Sequence, residues 1–294
     1  MNPGILVVGS GGQLGQELQH VVWPDGAQVM ARPEETLDIT QRATVLDAVA
    51  EAKRAGAVMV VNAAAYTAVD KAESDAAKAF AVNRDGAGNV AEACAAAGLP
   101  LIHISTDYVF DGTKATAYDE RDLPHPLGVY GQSKLEGERA VQRVLPRHVI
   151  LRTAWVYSAF GHNFVKTMLR LAAERPEIRV VNDQFGCPTS ARDLAVAIAA
   201  IAPVLVTHEA PWGLYHCASH EVVSWYDVAV ATVGFSKHAE RCRLVPIATS
   251  EYPTPARRPA RSELNSSHFR ETFGISFPPW RESVKRVVTA VENT

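Results

Sequence analysis

The sequence predicts an α/β protein built on a doubly wound parallel sheet, followed by a smaller second lobe. In the first half of the 294-residue chain, short apolar runs alternate with alanine-rich amphipathic stretches, which is the rhythm of β-α-β units. A glycine cluster directly follows the first apolar run, and the alternation loosens after Arg152. We therefore expect a sheet domain over residues 1–152 and a second lobe over residues 153–294, with part of residues 178–220 returning to the sheet.

The elements follow from the hydrophobic pattern. Buried strands are predicted at residues 5–9, 28–31, 58–62, 101–105 and 149–152, and helices at 13–22, 43–55, 72–97 and 130–144. A helix after nearly every strand requires crossover connections, so the strands are parallel and a ligand binds at their carboxyl ends. Further along, helices are predicted at 163–173, 190–201 and 224–233, and strands at 179–181, 213–218 and 243–247. Proline and arginine crowd residues 251–261, which predicts an irregular loop.

Composition excludes several classes of partner. The formal net charge of -3 gives no electrostatic reason for binding nucleic acid or an anionic membrane. No apolar run approaches the roughly 20 residues that span a bilayer, and the first residues lack the basic segment of a signal peptide. The four cysteines, Cys94, Cys187, Cys217 and Cys242, show no C-x-x-C spacing. Free thiols in a reducing cytoplasm are the expectation.

The glycine cluster predicts a nucleotide site. Gly9, Gly12 and Gly15 are spaced G-x-x-G-x-x-G between the first strand and the first helix. Glycine permits a tight turn and close approach of the backbone to a pyrophosphate, which the amides at the helix N-terminus then bind. A plain tight turn is the alternative, but the position at the first βα junction favours a Rossmann-type sheet. Arg32 ends the second strand, where it would accept the 2′-phosphate of NADPH; a solvent-facing arginine, with NADH as cofactor, is the alternative.

A phenol and an ammonium group are predicted on one helix face. Tyr130 and Lys134 lie four residues apart, one helical turn. A nearby lysine cation favours the phenolate and would lower the tyrosine pKa, making Tyr130 a usable proton donor. Alone, the pair could be an ordinary surface pair. However, the strand at 101–105 ends in Thr106 and Asp107, at the same edge of the sheet as the glycine turn, where Thr106 can hydrogen-bond a carbonyl oxygen.

These motifs, taken in order, carry a resemblance to a known family. After the glycine turn come Asn62-Ala63-Ala64-Ala65-Tyr66-Thr67-Ala68-Val69-Asp70, Ser105-Thr106-Asp107-Tyr108-Val109-Phe110-Asp111-Gly112, Tyr130-Gly131-Gln132-Ser133-Lys134, Arg152-Thr153-Ala154-Trp155-Val156-Tyr157 and Asn182-Asp183-Gln184-Phe185-Gly186-Cys187-Pro188-Thr189. The chain resembles the dTDP-4-dehydrorhamnose reductase family of extended short-chain dehydrogenases/reductases from about residue 5 to about residue 290. The last forty residues match less well, because Asn265 stands where the family has aspartate.

The resemblance implies roles for individual residues. Thr106, Tyr130 and Lys134 would form the catalytic triad, and Thr106, Asp107 and Trp155 would bind the deoxysugar. Cofactor contacts, including the glycine turn and two triad members, would come from Gly9, Gly12, Gln13, Leu14, Gly15, Arg32, Asp38, Ile39, Ala65, Tyr66, Thr67, Tyr130 and Lys134. The alternatives are that Trp155 is a core residue and that Asp107 caps a local turn.

The implied activity is NADPH-dependent reduction of the C4 keto group of dTDP-4-dehydro-L-rhamnose to dTDP-L-rhamnose, for a cell-surface polysaccharide. Another nucleotide-deoxysugar reductase or an epimerase is one alternative, since the same triad serves several outcomes. A non-catalytic NADP-binding regulatory subunit is the other, because one fold hosts many functions.

The resemblance also suggests the hypothesis of a metal-bridged homodimer, since some family members bind magnesium at a dimer contact through a first-helix glutamate and other acids. Glu17 matches that glutamate, but Arg192 stands where a second acid is expected. We therefore expect no metal site, read Glu17 as a solvated helix residue, and leave a homodimer open.

Overall fold

Strands and helices alternate along the chain in the computed structural model, which describes residues 2–207 and 209–293. The strands of this part are β1 (Gly4–Val8), β2 (Gln28–Arg32), β3 (Ala57–Asn62), β4 (Leu101–Thr106), β5 (His148–Thr153), β6 (Val156–Tyr157), β7 (Glu177–Val181), β8 (Phe185–Gly186), β9 (Thr189–Ser190), β10 (Gly213–His216), β11 (Val223–Ser224) and β12 (Arg243–Ile247). The helices are α1 (Gln13–His20), α2 (Arg42–Arg54), α3 (Val69–Ala72), α4 (Ala76–Phe80), α5 (Ala87–Ala97), α6 (Val129–Val144), α7 (Phe164–Glu174), α8 (Ala191–Leu205), α9 (Trp225–Gly234), α10 (Ser267–Phe273) and α11 (Trp280–Glu292).

Six parallel strands form the central sheet in the order β10-β5-β4-β3-β1-β2. β1 is buried along its whole length because helices cover both faces of the sheet. Successive side chains alternate between the two faces: Val7 belongs to the core beneath α1 and α8, and Leu6 to the core beneath α2, α5 and α6. The predicted doubly wound parallel sheet is confirmed.

The chain after β5 contributes to two regions. α8 packs on the central sheet and β10 extends it beyond β5. The remaining strands form three pairs outside the central sheet: β7 with β12, β6 with β9, and β8 with β11. α7, α9 and α11 pack together in one hydrophobic core, and α7 and α9 also pack with β7 in another. Residues 252–260 contain no helix or strand. Within residues 2–207 and 209–293, no helix combines the length and apolar character needed to cross a bilayer.

The long helix predicted over residues 72–97 is interrupted in the structure. α3 and α4 are separated by a turn, and a π-helical segment at residues 81–86 joins α4 to α5. This segment packs tightly against α6, because a Cβ placed on Gly137 would lie 2.1 Å from the carbonyl oxygen of Asn83. Regular apolar periodicity does not reveal such an insertion, and π-helical turns are frequently found at functional sites.

Candidate active site

A cleft runs along the carboxyl edge of the central sheet, where the sequence predicted a ligand. It consists of two adjoining cavities of about 530 and 460 Å³, and Gly12, Thr67 and residues 63–65 line both. The larger cavity extends towards the ends of β4 and β5, and the smaller one towards the loop after β2. These volumes lie within the range of about 300–1,000 Å³ typical of small-molecule sites.

The glycine turn forms one wall of the cleft, and its three glycines have different reasons to be there. Gly9 has φ +74°, and a Cβ on it would lie 2.4 Å from the Ala64 amide nitrogen. A Cβ on Gly15 would meet the Gly9 carbonyl oxygen at 2.4 Å. Gly12 is the N-cap of α1, and as a glycine it offers no side chain to the first-turn amides. The N-terminus of α1 is therefore open to an anion in the cleft.

The predicted cofactor residues divide between the two cavities. Gln13 and Leu14 line the larger cavity, Tyr66, Asp38 and Ile39 line the smaller one, and Ala65 and Thr67 line both. In Asp38, the hydrogen bond from the Thr40 backbone N–H holds the carboxyl pKa below its ordinary value.

Arg32 lies at the end of β2, beside the smaller cavity rather than in its lining. Its Nη1 donates to the Ala31 carbonyl oxygen at 3.3 Å, and its own carbonyl accepts from the Gly9 amide. Glu34 and Glu35 line the cavity next to it, together with Lys78. These two carboxylates were not predicted, although they directly follow Arg32-Pro33 in the sequence.

Thr106, Tyr130 and Lys134 meet in the larger cavity. Thr106 ends β4, whereas Tyr130 and Lys134 lie one turn apart at the start of α6. The Lys134 ammonium group donates to the Ile104 carbonyl oxygen at 2.6 Å and is almost completely buried. Burial lowers the pKa of Lys134 to about 8, against the opposing effect of Glu138.

The pKa of Tyr130 differs from the expectation. Burial raises it to about 12, while a hydrogen bond with the Thr106 side chain acts in the opposite direction. The prediction that the pKa of Tyr130 is lowered is wrong, because desolvation of the phenol dominates and the Lys134 ammonium group is directed to the backbone of β4. Tyr130 therefore carries its proton at neutral pH.

Asp107 follows Thr106 and also lines the larger cavity. Its Oδ1 accepts from the Thr106 hydroxyl at 3.1 Å, and burial raises the pKa of this carboxyl to about 7. The turn at residues 107–109 is capped by Thr106, whose Oγ1 accepts from the Tyr108 amide at 3.2 Å. The alternative that Asp107 is the local cap is therefore not what the structure shows. Within the described residues, Asp107 Oδ2 has no hydrogen bond of ordinary geometry, although the nearby Ser262 hydroxyl opposes the effect of burial on the pKa of this carboxyl.

Trp155 lines the larger cavity and stacks on a second tryptophan. Its ring stacks on Trp225 with centroids 3.6 Å apart and planes 7° apart, and both rings line the larger cavity. Trp155 has φ +48°, unusual for a residue with a side chain, and a Cβ on Gly186 would lie 2.5 Å from its ring. Trp155 is half-buried rather than a core residue. Trp225 was missed, since its position at the start of α9 carries no motif.

Asn83 connects the cleft walls and was also missed. Its Nδ2 donates to the Tyr66 carbonyl oxygen at 3.0 Å and to Ser133 Oγ at 2.9 Å, and its Oδ1 accepts from the Tyr66 amide at 2.8 Å. Ser133 in turn donates to the Tyr130 carbonyl oxygen at 2.8 Å. The π-helical segment thus fastens the loop after β3 to the helix that carries Tyr130.

The irregular loop of residues 252–260 is bound to α3, beside the cleft. Arg258 forms a two-pronged ion pair with Asp70, at 3.0 and 2.8 Å, and the Ala256 amide also donates to Asp70. Asp70 belongs to α3, which directly follows the loop that lines both cavities. The second half of the chain is thereby fastened to the sheet beside the cleft.

Glu17 is buried, with 6% of its surface exposed, so the expectation of a solvated helix residue is wrong. Ser158 donates to its carboxylate at 2.5 Å, and Arg192 Nη1 lies 4.0 Å from the other oxygen. The arginine that breaks the family's acidic pattern thus supplies a compensating charge. In the part of the chain that the structure describes, no three His, Cys, Asp or Glu side chains cluster as metal ligands would.

The fold and the cleft together define a class of protein. A parallel doubly wound sheet, a glycine turn at its carboxyl edge, and a threonine facing a Tyr-x-x-x-Lys helix are the features of an extended short-chain dehydrogenase/reductase. The family model described as RmlD substrate binding domain matches residues 1–293. The chain belongs to this family, which confirms the resemblance inferred from the motifs.

Relatives of known name agree over nearly the whole chain. The dTDP-4-dehydrorhamnose reductase of Sinorhizobium fredii is 45% identical over 293 residues, covering 98% of this chain and 97% of that protein. The Escherichia coli K12 protein of the same name is 41% identical over 295 residues, covering 99% and 98%. Among solved structures, dTDP-4-dehydrorhamnose reductase from Bacillus anthracis in complex with NADP has a TM-score of 0.90 at 35% identity, covering 98% of this chain and 99% of that one. UDP-glucose 4-epimerase from Thermus thermophilus, at 20% identity and a TM-score of 0.82 over 99% of each chain, shares the fold.

Proposed function

We propose that this protein reduces the C4 keto group of dTDP-4-dehydro-L-rhamnose to give dTDP-L-rhamnose, with NADPH as reductant, in dTDP-rhamnose biosynthesis. The observation that carries the proposal is the meeting of Thr106, Tyr130 and Lys134 in a cavity that adjoins the glycine turn. Relatives named for this reaction, at 40–45% identity over nearly the full length, support the choice of substrate.

The cleft fits a dinucleotide. The space in front of Gly12 and the open N-terminus of α1 suit a pyrophosphate, and the smaller cavity beyond them suits an adenosine. Gly9, Gly12, Gln13, Leu14, Asp38, Ile39, Ala65, Tyr66 and Thr67 would hold it, with Gly15 allowing the turn. NADPH, when bound, supplies a hydride.

The chain's own residues handle the proton and the oxygen charge. Tyr130, protonated at neutral pH, donates its proton to the carbonyl oxygen as negative charge develops there. Thr106 hydrogen-bonds the same oxygen, which stabilises that charge. Lys134 lies one turn from the phenol, where its charge stabilises the phenolate left after proton transfer and its ammonium group can reach a cofactor ribose.

The sugar would lie between Asp107 and Trp155. Asp107 Oδ2 is available to accept a sugar hydroxyl, and the Trp155 ring offers an apolar face of the kind that covers a deoxyhexose.

NADPH is proposed over NADH on the strength of Arg32 and of the NADP in the B. anthracis relative. The Arg32 guanidinium, beside the smaller cavity, can turn towards a 2′-phosphate. The carboxylates of Glu34 and Glu35, which line that cavity, would repel the same phosphate. NADH therefore remains the alternative cofactor, and the two should be compared directly.

We also propose a cytoplasmic location, because the four cysteines are free and buried, which suits a reducing compartment. A homodimer is proposed as well, on the resemblance to family members that form a dimer contact. Sedimentation of the purified chain tests the dimer.

The decisive experiment follows NADPH absorbance with dTDP-4-dehydro-L-rhamnose as substrate. The proposed reductase consumes one NADPH per sugar reduced. An epimerase would convert the sugar without net NADPH loss, and a non-catalytic subunit would bind NADPH with no turnover. Either result, with folded protein, contradicts the proposal.

A further inference from the structure

A buried ion pair lies behind the wall of the cleft that carries Lys134. Glu138 of α6 and Arg152 of β5 have side chains that are 2% and 4% exposed, and they form two hydrogen bonds of 2.8 and 2.7 Å. The Ser105 hydroxyl donates to the same Glu138 carboxylate. Neither Glu138 nor Arg152 lines the cleft, and neither has a role in the proposed chemistry.

Stability alone is a poor reason for such a pair. Desolvation of two charges offsets most of their mutual attraction, so an apolar pair of similar size is often as stable or more stable. Arg152 also leaves Nη1 without a hydrogen bond within the described residues, and its guanidinium lies 5.2 Å from the centre of the Phe110 ring. A neighbouring group that requires the carboxylate therefore explains the pair better than stability does.

That neighbour is Lys134, four residues before Glu138 on the same face of α6. A buried ammonium group is unfavourable unless a negative charge compensates it. The titratable or charged groups that face Lys134 are Tyr130 and Glu138 from α6, His103 and Asp107 from β4 and the turn after it, and Arg152 from β5.

Of these groups, only Glu138 is a carboxylate that an ion pair holds in place on the same helix face as the ammonium group. Burial holds the pKa of His103 far below its ordinary value, so this side chain is neutral, and burial raises the pKa of Asp107 to about 7. Tyr130 is protonated and Arg152 is a cation. Glu138 opposes the lowering of the Lys134 pKa that burial causes.

We propose that Glu138 is a positioning residue for Lys134: its carboxylate, fixed by Arg152 and Ser105, keeps the buried ammonium group charged and directed at the β4 backbone beside the cleft. The effect on turnover rests on the proposed function, but the effect on Lys134 itself does not. Arg152 and Ser105 act one step further away, by preventing the carboxylate from rotating or taking up a proton.

The proposal predicts opposite behaviour for charge-removing and charge-keeping variants. Glu138→Gln removes the carboxylate and leaves Arg152 as an unpaired cation, so the Lys134 pKa falls by about one pH unit or more. Glu138→Gln/Arg152→Met removes both charges, so the shift keeps its direction but is smaller. Glu138→Asp keeps the charge and leaves the Lys134 titration near that of wild type.

The test titrates Lys134 directly in the free protein by NMR of ¹⁵Nζ-labelled lysine, with the signal assigned by its loss in Lys134→Met. The alkaline limb of kcat/KM against pH, measured with NADPH and the keto-sugar, should shift with it. Glu136→Gln is the matched control, because Glu136 lies on the same helix but pairs with Arg139 in a more exposed position.

An unchanged Lys134 titration in folded Glu138→Gln overturns the proposal. If that single variant does not fold, the double variant decides, and an unchanged Lys134 titration there overturns the proposal equally. If the wild-type protein fails to turn over the keto-sugar, the proposed function fails while the NMR titration still tests Glu138. A purely structural role predicts lower stability in Glu138→Gln with no change in the Lys134 pKa.

Discussion

Replacing Tyr130 by phenylalanine removes one hydroxyl from the site and leaves the ring in place. Tyr130 is half-buried, its phenol interacts with the Thr106 side chain, and its ring lies edge-on to the Tyr108 ring at 5.9 Å. Because the ring contacts survive, we expect only the net contribution of one hydrogen bond to be lost from stability, about 0.5–1.5 kcal/mol. The protein should fold and bind NADPH with nearly unchanged affinity.

The effect on turnover should be much larger. General acid catalysis contributes about 10²–10⁴ in rate, so kcat should fall by that factor. This corresponds to about 3–5 kcal/mol of lost transition-state stabilisation. Thr106 remains to hydrogen-bond the carbonyl oxygen, which leaves the variant a residual rate.

The assay follows NADPH absorbance with the keto-sugar nucleotide, alongside NADPH titration by fluorescence and thermal unfolding. Tyr215→Phe is the matched control, since it removes another largely buried hydroxyl, bonded to the Pro211 carbonyl oxygen at 2.9 Å, from β10 outside the cleft. A Tyr130→Phe protein with kcat within about tenfold of wild type would refute the assignment of the proton donor.

Three further predictions follow from the geometry. Gly15→Ala should abolish NADPH binding and lower the melting temperature, because its Cβ would overlap the Gly9 carbonyl oxygen; Gly88→Ala, whose Cβ would make an ordinary contact at 3.5 Å, is the control, and equal NADPH affinity in the two variants would contradict the reasoning. Asn83→Ala should destabilise the protein by about 2–4 kcal/mol in urea unfolding, since three hydrogen bonds are lost, and should raise KM for NADPH. Asp107→Asn should change the pH dependence of stability. The folded-state pKa of Asp107, about 7, lies above its unfolded value, so the proton it retains stabilises the native protein below pH 4 and this contribution is lost as pH rises to 7. Between pH 5 and pH 8, the free energy of unfolding of Asp107→Asn should rise relative to that of wild type by up to a few kcal/mol. Parallel curves for the two proteins would show that Asp107 does not titrate in this range.

Much of the site was predictable because its residues follow local rules. The glycine turn lies at the first βα junction, where a tight turn and close approach of chain segments exclude a Cβ. Tyr130 and Lys134 are one helical turn apart, so a helix at that place necessarily puts them on one face. Thr106 ends a strand whose neighbours are parallel, so it lies at the same edge as the glycine turn.

Other features escaped prediction because they depend on partners distant in the chain. Glu17 looked like a solvated helix residue until the structure placed Ser158 and Arg192 against it. The tryptophan pair and the hydrogen bonds of Asn83 likewise join separate segments. The interruption of the helix over residues 72–97 gives no signal in an alanine-rich sequence, where apolar periodicity is weak.

The sequence by itself determined the alternation of strands and helices in the first half of the chain, the class of fold, the family, and which triad side chains reach the carboxyl edge of the sheet, since these follow from short-range periodicity, turn chemistry and motifs. Only the tertiary structure decided the charge states. The pKa of Tyr130 rises, that of Asp107 rises to about 7, and that of Lys134 falls to about 8 against the opposing effect of Glu138, which pairs with Arg152 of β5. Desolvation and charge pairing act through space, so a buried group's protonation depends on what the fold packs around it.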